Sequence, residues 1–314
     1  MYEKSLDPEL MKLTQGRWKR MLSRKNFTIR KETVDGLMPG SVDLHVHAWP
    51  CAYVARQFSE IEIGRRATDA GMRAVVFKCH STPSSGRAPL VQEAVDEYAA
   101  QAGKTAARII GGVALNYCVG GINPHAAEAS ANFGGRFVWL PSVHASHCYR
   151  VQSKEGGIPV LDSGKQILPE VKEVLKIIAE RDMILGLAHQ STEERFIIAR
   201  EAKKMGVKWI SASHPQGRIN KMTVEQMKEI AELGVYIYIQ NQTILNHDLN
   251  EETLEMIQQV PLERLVYGSD LTMWGNFHPV EGVRLLIEVL LGYGVPEETV
   301  RKILIDNPKR LLFG

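Results

Sequence analysis

The sequence predicts an α/β fold of the (β/α)8, or TIM, barrel type, on three observations. Eight short β-branched apolar runs alternate with segments of helical periodicity from residue 41 onward, the pattern of repeated βα units around a parallel sheet. Those units occupy roughly 270 residues, close to the ~250 of a closed barrel. No GxGxxG follows the first run, so the open doubly wound sheet loses its main support.

The chain divides into an amino-terminal arm, residues 1–40, and one barrel domain, residues 41–314. The arm carries one expected helix around Pro8–Arg24, whose Leu10, Leu13, Met21 and Leu22 suit packing on the barrel or on a second subunit, and a homo-oligomer is expected. Strands are expected near Ser41–Leu44, Arg73–Phe77, Arg108–Leu115, Phe137–Leu140, Met183–Leu187, Lys208–Ser211, Val235–Ile239 and Arg264–Tyr267. Helices are expected over Ile61–Ala70, Leu90–Ala102, Pro169–Arg181, Thr192–Met205, Thr223–Leu233, Glu251–Gln259, Val280–Tyr293 and Pro296–Asn307. Ser191 followed by Glu193-Glu194, and Thr223 followed by Gln226, are start signals; Gly71, Gly206 and Gly234 are stop signals. After the fourth strand, Gly156–Leu168 reads as a small inserted hairpin around Asp162-Ser163-Gly164.

Lys and Arg total 38 against 36 for Asp and Glu, so no charge excess draws the folded body to nucleic acid or a membrane surface, and a small-molecule substrate is expected. The basic face Trp18-Lys19-Arg20 reads as solvated or as an oligomer contact. Cys51, Cys79, Cys118 and Cys148 are widely spaced with no CxxC, as expected of reduced thiols in a cytoplasmic protein. Neither an apolar leader core nor a run approaching the ~20 apolar residues of a membrane span is present, so an exported or embedded protein is not expected.

The chemistry gathers at strand ends. The first strand finishes Asp43-Leu44-His45-Val46-His47, and residues two apart on a strand face one side, so both imidazoles can address one ion. Barrel active sites lie at the carboxyl ends of the strands, and His80, His144, His147, His189, His214 and Asp270 also fall at or just past such ends. His125 and His247 do not, and read as ordinary histidines.

With His45-x-His47 after strand one, His189 after strand five, His214 after strand six, Asp270 after strand eight and the closing Val295–Leu312 segment, the chain resembles the amidohydrolase superfamily over most of residues 41–314. The resemblance implies one or two divalent ions, zinc first and manganese second, bound by His45, His47, His189, His214 and Asp270. It also implies a metal-activated water, with Asp270 orienting it, taking its proton and passing that proton to the leaving group.

One departure matters. Two-metal members take a bridging carboxylated lysine or a glutamate from strand four, and Phe137–Pro141 holds neither. Lys78 is the lysine available among the strand ends, either as a carbamate ligand or as an ammonium that holds an anionic substrate. The catalytic candidates are therefore Asp270, Lys78 and His214. His80, His144 and His147 are expected as extra ligands, electrophiles or supports. Arg87, Asn116, Gln240, Asn241, Gln242, Trp274 and His278, on loops after strands two, three, seven and eight, are candidates for binding substrate. The expected activity is hydrolysis of an amide, cyclic amide, lactone or related C–N or C–O bond in a small polar molecule. The alternatives are a non-oxidative decarboxylase of a small carboxylic acid, a phosphoesterase anchored by Lys78 and Arg87, and a non-catalytic metal-binding barrel.

Overall fold

A computed structural model describes residues 31–241 and 250–314. The expected arm helix, Gln242 and His247 lie outside the described residues. The strands are β1 (Val42–Val46), β2 (Ala74–Phe77), β3 (Arg108–Ile110), β4 (Gly112–Ala114), β5 (Phe137–Trp139), β6 (Ile184–Leu187), β7 (Trp209–Ala212), β8 (Val235–Ile239) and β9 (Leu265–Tyr267). Every ladder is parallel, in the orders β1-β2-β3 and β4-β5-β6-β7-β8-β9. Closure runs through the exit of β9: Gly268 N donates to Ile239 O on one side, and Asp270 N donates to His45 O (2.8 Å) on the other. The fold is a (β/α)8 barrel.

The third barrel strand, expected as one run, is two. Ser84, on the β2 exit loop, inserts at the break. Its amide donates to Gly112 O (2.9 Å), its hydroxyl accepts from Gly112 N (3.0 Å), and the same hydroxyl donates to Phe77 O (2.6 Å). Side-chain hydrogen bonds replace the ladder there, which splits β3 from β4.

Helices follow the strands: α1 (Lys31–Leu37), α2 (Glu60–Asp69), α3 (Ala88–Gln101), α4 (Pro124–Asn132), α5 (Ser146–Val151), α6 (Pro169–Glu180), α7 (Thr192–Lys204), α8 (Val224–Glu232), α9 (Asn250–Gln259), α10 (Pro279–Gly292), α11 (Glu297–Arg301) and α12 (Asn307–Phe313). Ser191 with Glu194, and Thr223 with Gln226, form reciprocal capping boxes that start α7 and α8. The expected helices omit α4, although Asn123 caps it and Pro124 fills its first turn, where no amide is needed. The last helix, expected to stop at Asn307, continues through a π-helical turn, Lys302–Asp306, into α12. After β5, Leu161 bridges Ile167 antiparallel while Asp162 accepts from Gly164 N and Gln166 N (both 2.8 Å).

Two apolar clusters hold the barrel. The outer one packs helices on the sheet through residues such as Val46, Val75, Phe77, Leu185 and Ile237. The inner one fills the barrel with Leu44, Val76, Phe137, Trp139, Ile184, Tyr236 and Tyr238 above Leu311 and Leu312. Each fully buried side chain of this kind contributes about 1.5–3 kcal/mol. Trp139 stacks on Phe137 and fits because Gly186 faces it; a Cβ there would lie 2.1 Å from the indole. No helix among the described residues is long and apolar enough to cross a membrane.

Candidate metal centre

Val46 packs into the outer core, so its neighbours His45 and His47 turn the other way. Their Nε2 atoms lie 3.3 Å apart, and Asp270 Oδ1 is 3.6 Å from the first and 3.2 Å from the second. Asp270 Oδ2 is 3.5 Å from His214 Nδ1. Ligand atoms of His45, His214 and Asp270 all fall within 4.8 Å of one another. The ring of His189 is 5.3 Å from that of His214, and its Nδ1 is buried without a partner.

These separations suit a cation. Bonds of ~2.1 Å in a tetrahedral zinc site put neighbouring ligand atoms about 3.4 Å apart. Burial holds His45, His47 and His189 well below the usual imidazole range, with the nearby Lys78 charge adding to the effect, and lowers His214 to about 4. Neutral rings offer lone pairs, and lone pairs converging on a carboxylate repel unless a proton or a metal lies between them. The donor set, imidazole nitrogen with carboxylate oxygen, fits zinc or manganese.

The backbone is bent to deliver two of these groups. His214 (φ 58°) and Asp270 (φ 53°) both adopt the left-handed region, as does the β-branched Thr272 (φ 96°). Such conformations cost on the order of 1–3 kcal/mol and persist where surrounding bonds enforce them. Here Asp270 N is tied to His45 O, and the Thr272 hydroxyl to His47 O (2.6 Å). Gly268 is needed for the same packing: a Cβ there would lie 2.7 Å from His45 Cβ and 2.9 Å from the Tyr238 ring.

Three supports escaped the sequence reading. Arg195, fully buried on α7, donates to Ala188 O and Ser213 O (both 2.6 Å), the carbonyls just before His189 and His214, and burial pulls its pKa down to about 9. Its signal was a cation within the apolar stripe Arg195, Ile198, Ala199, Ala202. Asp43 accepts from Ser269 N (2.9 Å) and His45 N (3.1 Å), joining the first and last strand exits, and burial raises it to about 7. Arg56 is buried on the β1 exit loop, where no periodicity marked it.

The remaining candidates divide. Lys78 is buried with Nζ unpartnered, 5.8 Å from the centre of the Trp139 ring, and burial lowers it to about 8. His80 packs on His47 (4.4 Å) and reaches the Ser142 hydroxyl through Nδ1 (3.1 Å). Gln240 Oε1 lies 2.8 Å from His214 Nδ1 and fixes the orientation of that ring. Asn116 ties His80 O and the Ser142 hydroxyl together.

Others are turned elsewhere. Arg87 pairs with Glu60 through two nitrogens (2.6 and 3.1 Å), because the α2 start offers it a carboxylate, and so it is not a free anion anchor. Asn241 bonds Gly282 O (2.9 Å) and the Tyr267 hydroxyl, holding α10 to the sheet. His147 bonds Ile219 O (2.7 Å), away from the ring cluster. His278 caps α10 by accepting from Val280 N (3.2 Å) and packs on Phe58, since the residue before Pro279 must be extended. His144 sits among Tyr53, Tyr117 and Tyr149, and Trp274 is 76% exposed.

No curated protein sequence matches the chain. Its fold is shared with the probable dipeptidase PvdM from Pseudomonas aeruginosa (TM-score 0.59, 13% identity, 94% of this chain and 98% of that one). An amidohydrolase from Pseudomonas aeruginosa is similar to a like degree (TM-score 0.55, 15% identity, 90% and 97% covered). So is the phosphotriesterase homology protein from Escherichia coli, solved with phosphate in its active site (TM-score 0.54, 12% identity, 88% and 99% covered). At these identities the likeness establishes the barrel architecture. Residues 40–238, running from β1 into β8 with every candidate ligand except Asp270, match the family of unknown function DUF6282, and the chain belongs to that family.

Proposed function

We propose that this protein is a metal-dependent hydrolase cleaving an amide, cyclic amide, lactone or related C–N or C–O bond of a small polar molecule. The observation that carries the reading is the convergence of His45, His47 and His214 on Asp270 at the carboxyl ends of β1, β7 and β9. Fold neighbours named as an amidohydrolase and a probable dipeptidase support the choice of bond.

His45, His47, His214 and Asp270 would hold the ion, with His189 beside them for a second. A divalent cation there, zinc first and manganese second, supplies Lewis acidity and makes water acidic enough to react near neutral pH. Asp270 has one oxygen toward His45 and His47 and the other toward His214. It accepts a proton as the water oxygen bonds to the substrate carbon, then returns that proton to the departing nitrogen or oxygen as the C–N or C–O bond breaks. Gln240 holds the His214 ring in place beside Asp270.

The test is elemental analysis of chelator-free protein, with a screen of amides, lactones, phosphoesters and aromatic carboxylates scored for acid production and CO2 release. Amide or lactone cleavage that stops on chelation and returns with zinc is expected. Protein with no bound metal that cannot take up zinc overturns the reading, and CO2 release without hydrolysis transfers it to a decarboxylase.

A further inference from the structure

The centre carries more fixed positive charge than its carboxylate balances. Lys78 follows inward-facing Val76 by two residues and is 1% exposed; its Nζ has no hydrogen-bond partner. Arg56 is 8% exposed and its Nε is buried without an acceptor. Its loop is fastened to the one that carries Asp270: Gln57 N donates to Thr272 O (3.1 Å), Trp274 N to Ala55 O (3.3 Å), and Arg56 bridges Met273. Among the described residues no carboxylate lies within ion-pair distance of either cation.

The two cations flank His47: Lys78 N donates to Val46 O (2.8 Å), and Thr272, whose carbonyl accepts from Gln57 N beside Arg56, ties its hydroxyl to His47 O (2.6 Å). Both disfavour protonation of His47 and His80, and Arg56 also disfavours the charge on Lys78. The acidic group that Lys78 feels is Asp270. The other buried arginine is provided for, since Arg195 donates to two carbonyls. A buried cation without a counter-ion costs several kcal/mol, and buried charges are paired as a rule. Asp270 alone cannot balance two cations, and a divalent ion increases the excess. The missing partner is an anion, and a carboxylate is the smallest organic group that supplies the charge.

We propose that Lys78 and Arg56 form an anion subsite, so that the substrate is a small carboxylic acid whose carboxylate lies against Lys78 Nζ and the Arg56 guanidinium while its scissile bond lies beside His47 and Asp270. The scissile-bond half rests on the hydrolase reading; the carboxylate half does not. Tyr53 and Tyr117, packed on His144 at the mouth (ring centres 5.2 and 4.9 Å), suit an acid with an apolar body.

Calorimetric titration of the full-length, metal-replete chain with benzoate, succinate, benzamide and inorganic phosphate tests this. Wild type, Arg56→Gln, Arg56→Lys and Lys78→Gln are compared, with metal content and thermal unfolding recorded for each. The carboxylates are expected to bind at least about tenfold more weakly to Arg56→Gln than to wild type, with metal content unchanged and partial recovery in Arg56→Lys. Benzamide binding should not respond to Arg56. Carboxylate binding that ignores Arg56, or is absent from wild type, overturns the proposal. So does a native mass showing one added CO2 on Lys78, or an Arg56 dependence seen with phosphate and not with the carboxylates. Arg56-dependent carboxylate binding without hydrolysis in the substrate screen sinks the hydrolase reading and leaves the subsite. Hydrolysis at equal rates in wild type and Arg56→Gln does the reverse.

Discussion

Arg195→Met separates the support of the metal centre from its ligands. The substitution removes two short donations, to Ala188 O and Ser213 O (2.6 Å each), and keeps most of the buried stem. Hydrogen bonds from charged groups contribute about 1.5–3 kcal/mol each. Asn220 Nδ2 also donates to both carbonyls, at 2.6 and 3.4 Å, so neither is stripped bare. Removing a guanidinium whose burial already lowers its pKa to about 9 recovers part of the loss. The net effect is a destabilisation of about 2–4 kcal/mol, and an unfolding entropy of ~2.1 cal/mol/K per residue makes that a fall in Tm of about 3–6 °C. Because both carbonyls precede candidate ligands, zinc affinity should also fall, by about tenfold to a hundredfold. Differential scanning calorimetry reads the first quantity and competition with a chromophoric chelator the second. A variant with wild-type Tm and wild-type zinc affinity would refute the reasoning, and a fall in Tm alone would reduce Arg195 to a structural role.

Asp270→Asn should lower turnover by about a hundredfold to ten-thousandfold. Its circular dichroism should be unchanged, because the backbone amide of residue 270 keeps its bond to His45 O and asparagine tolerates positive φ; turnover at the wild-type rate removes Asp270 as proton carrier. Gly268→Ala should cost about 1–3 kcal/mol by overpacking and weaken zinc binding by displacing His45, measured by urea unfolding and zinc titration. His278 titrates near 4 in the folded protein, against 6.5 when exposed. Between those values the unfolded chain binds a proton that the folded one refuses, so its contribution to stability declines as pH falls from 6.5 toward 4. His278→Asn keeps a side-chain cap and should gain stability relative to wild type across that window; a pH-independent difference in urea midpoint contradicts the assignment.

Some of this was written in local pattern. The β-branched runs gave all eight barrel positions, because a strand buried on both faces needs continuous apolar side chains. His45 and His47 were legible because a two-residue period places them together. His214 and Asp270 were legible as strand-end residues, while the backbone bend that turns them toward each other was not. Arg87 and Asn241 show the converse: both lie on the expected loops, yet Glu60 and Gly282, distant in sequence, claim their hydrogen bonds.

Alternation of apolar runs, caps and turns determined the barrel and the ring on which its chemistry sits, since those signals act over a few residues. Tertiary structure alone decided the rest. It brought four strand exits within a few ångströms, broke the third strand on Ser84, set Arg195 beneath two ligand-bearing turns, and buried Lys78 and Arg56 with no counter-ion among the described residues. Burial and charge balance depend on everything that packs around a group, and no stretch of neighbouring residues encodes them.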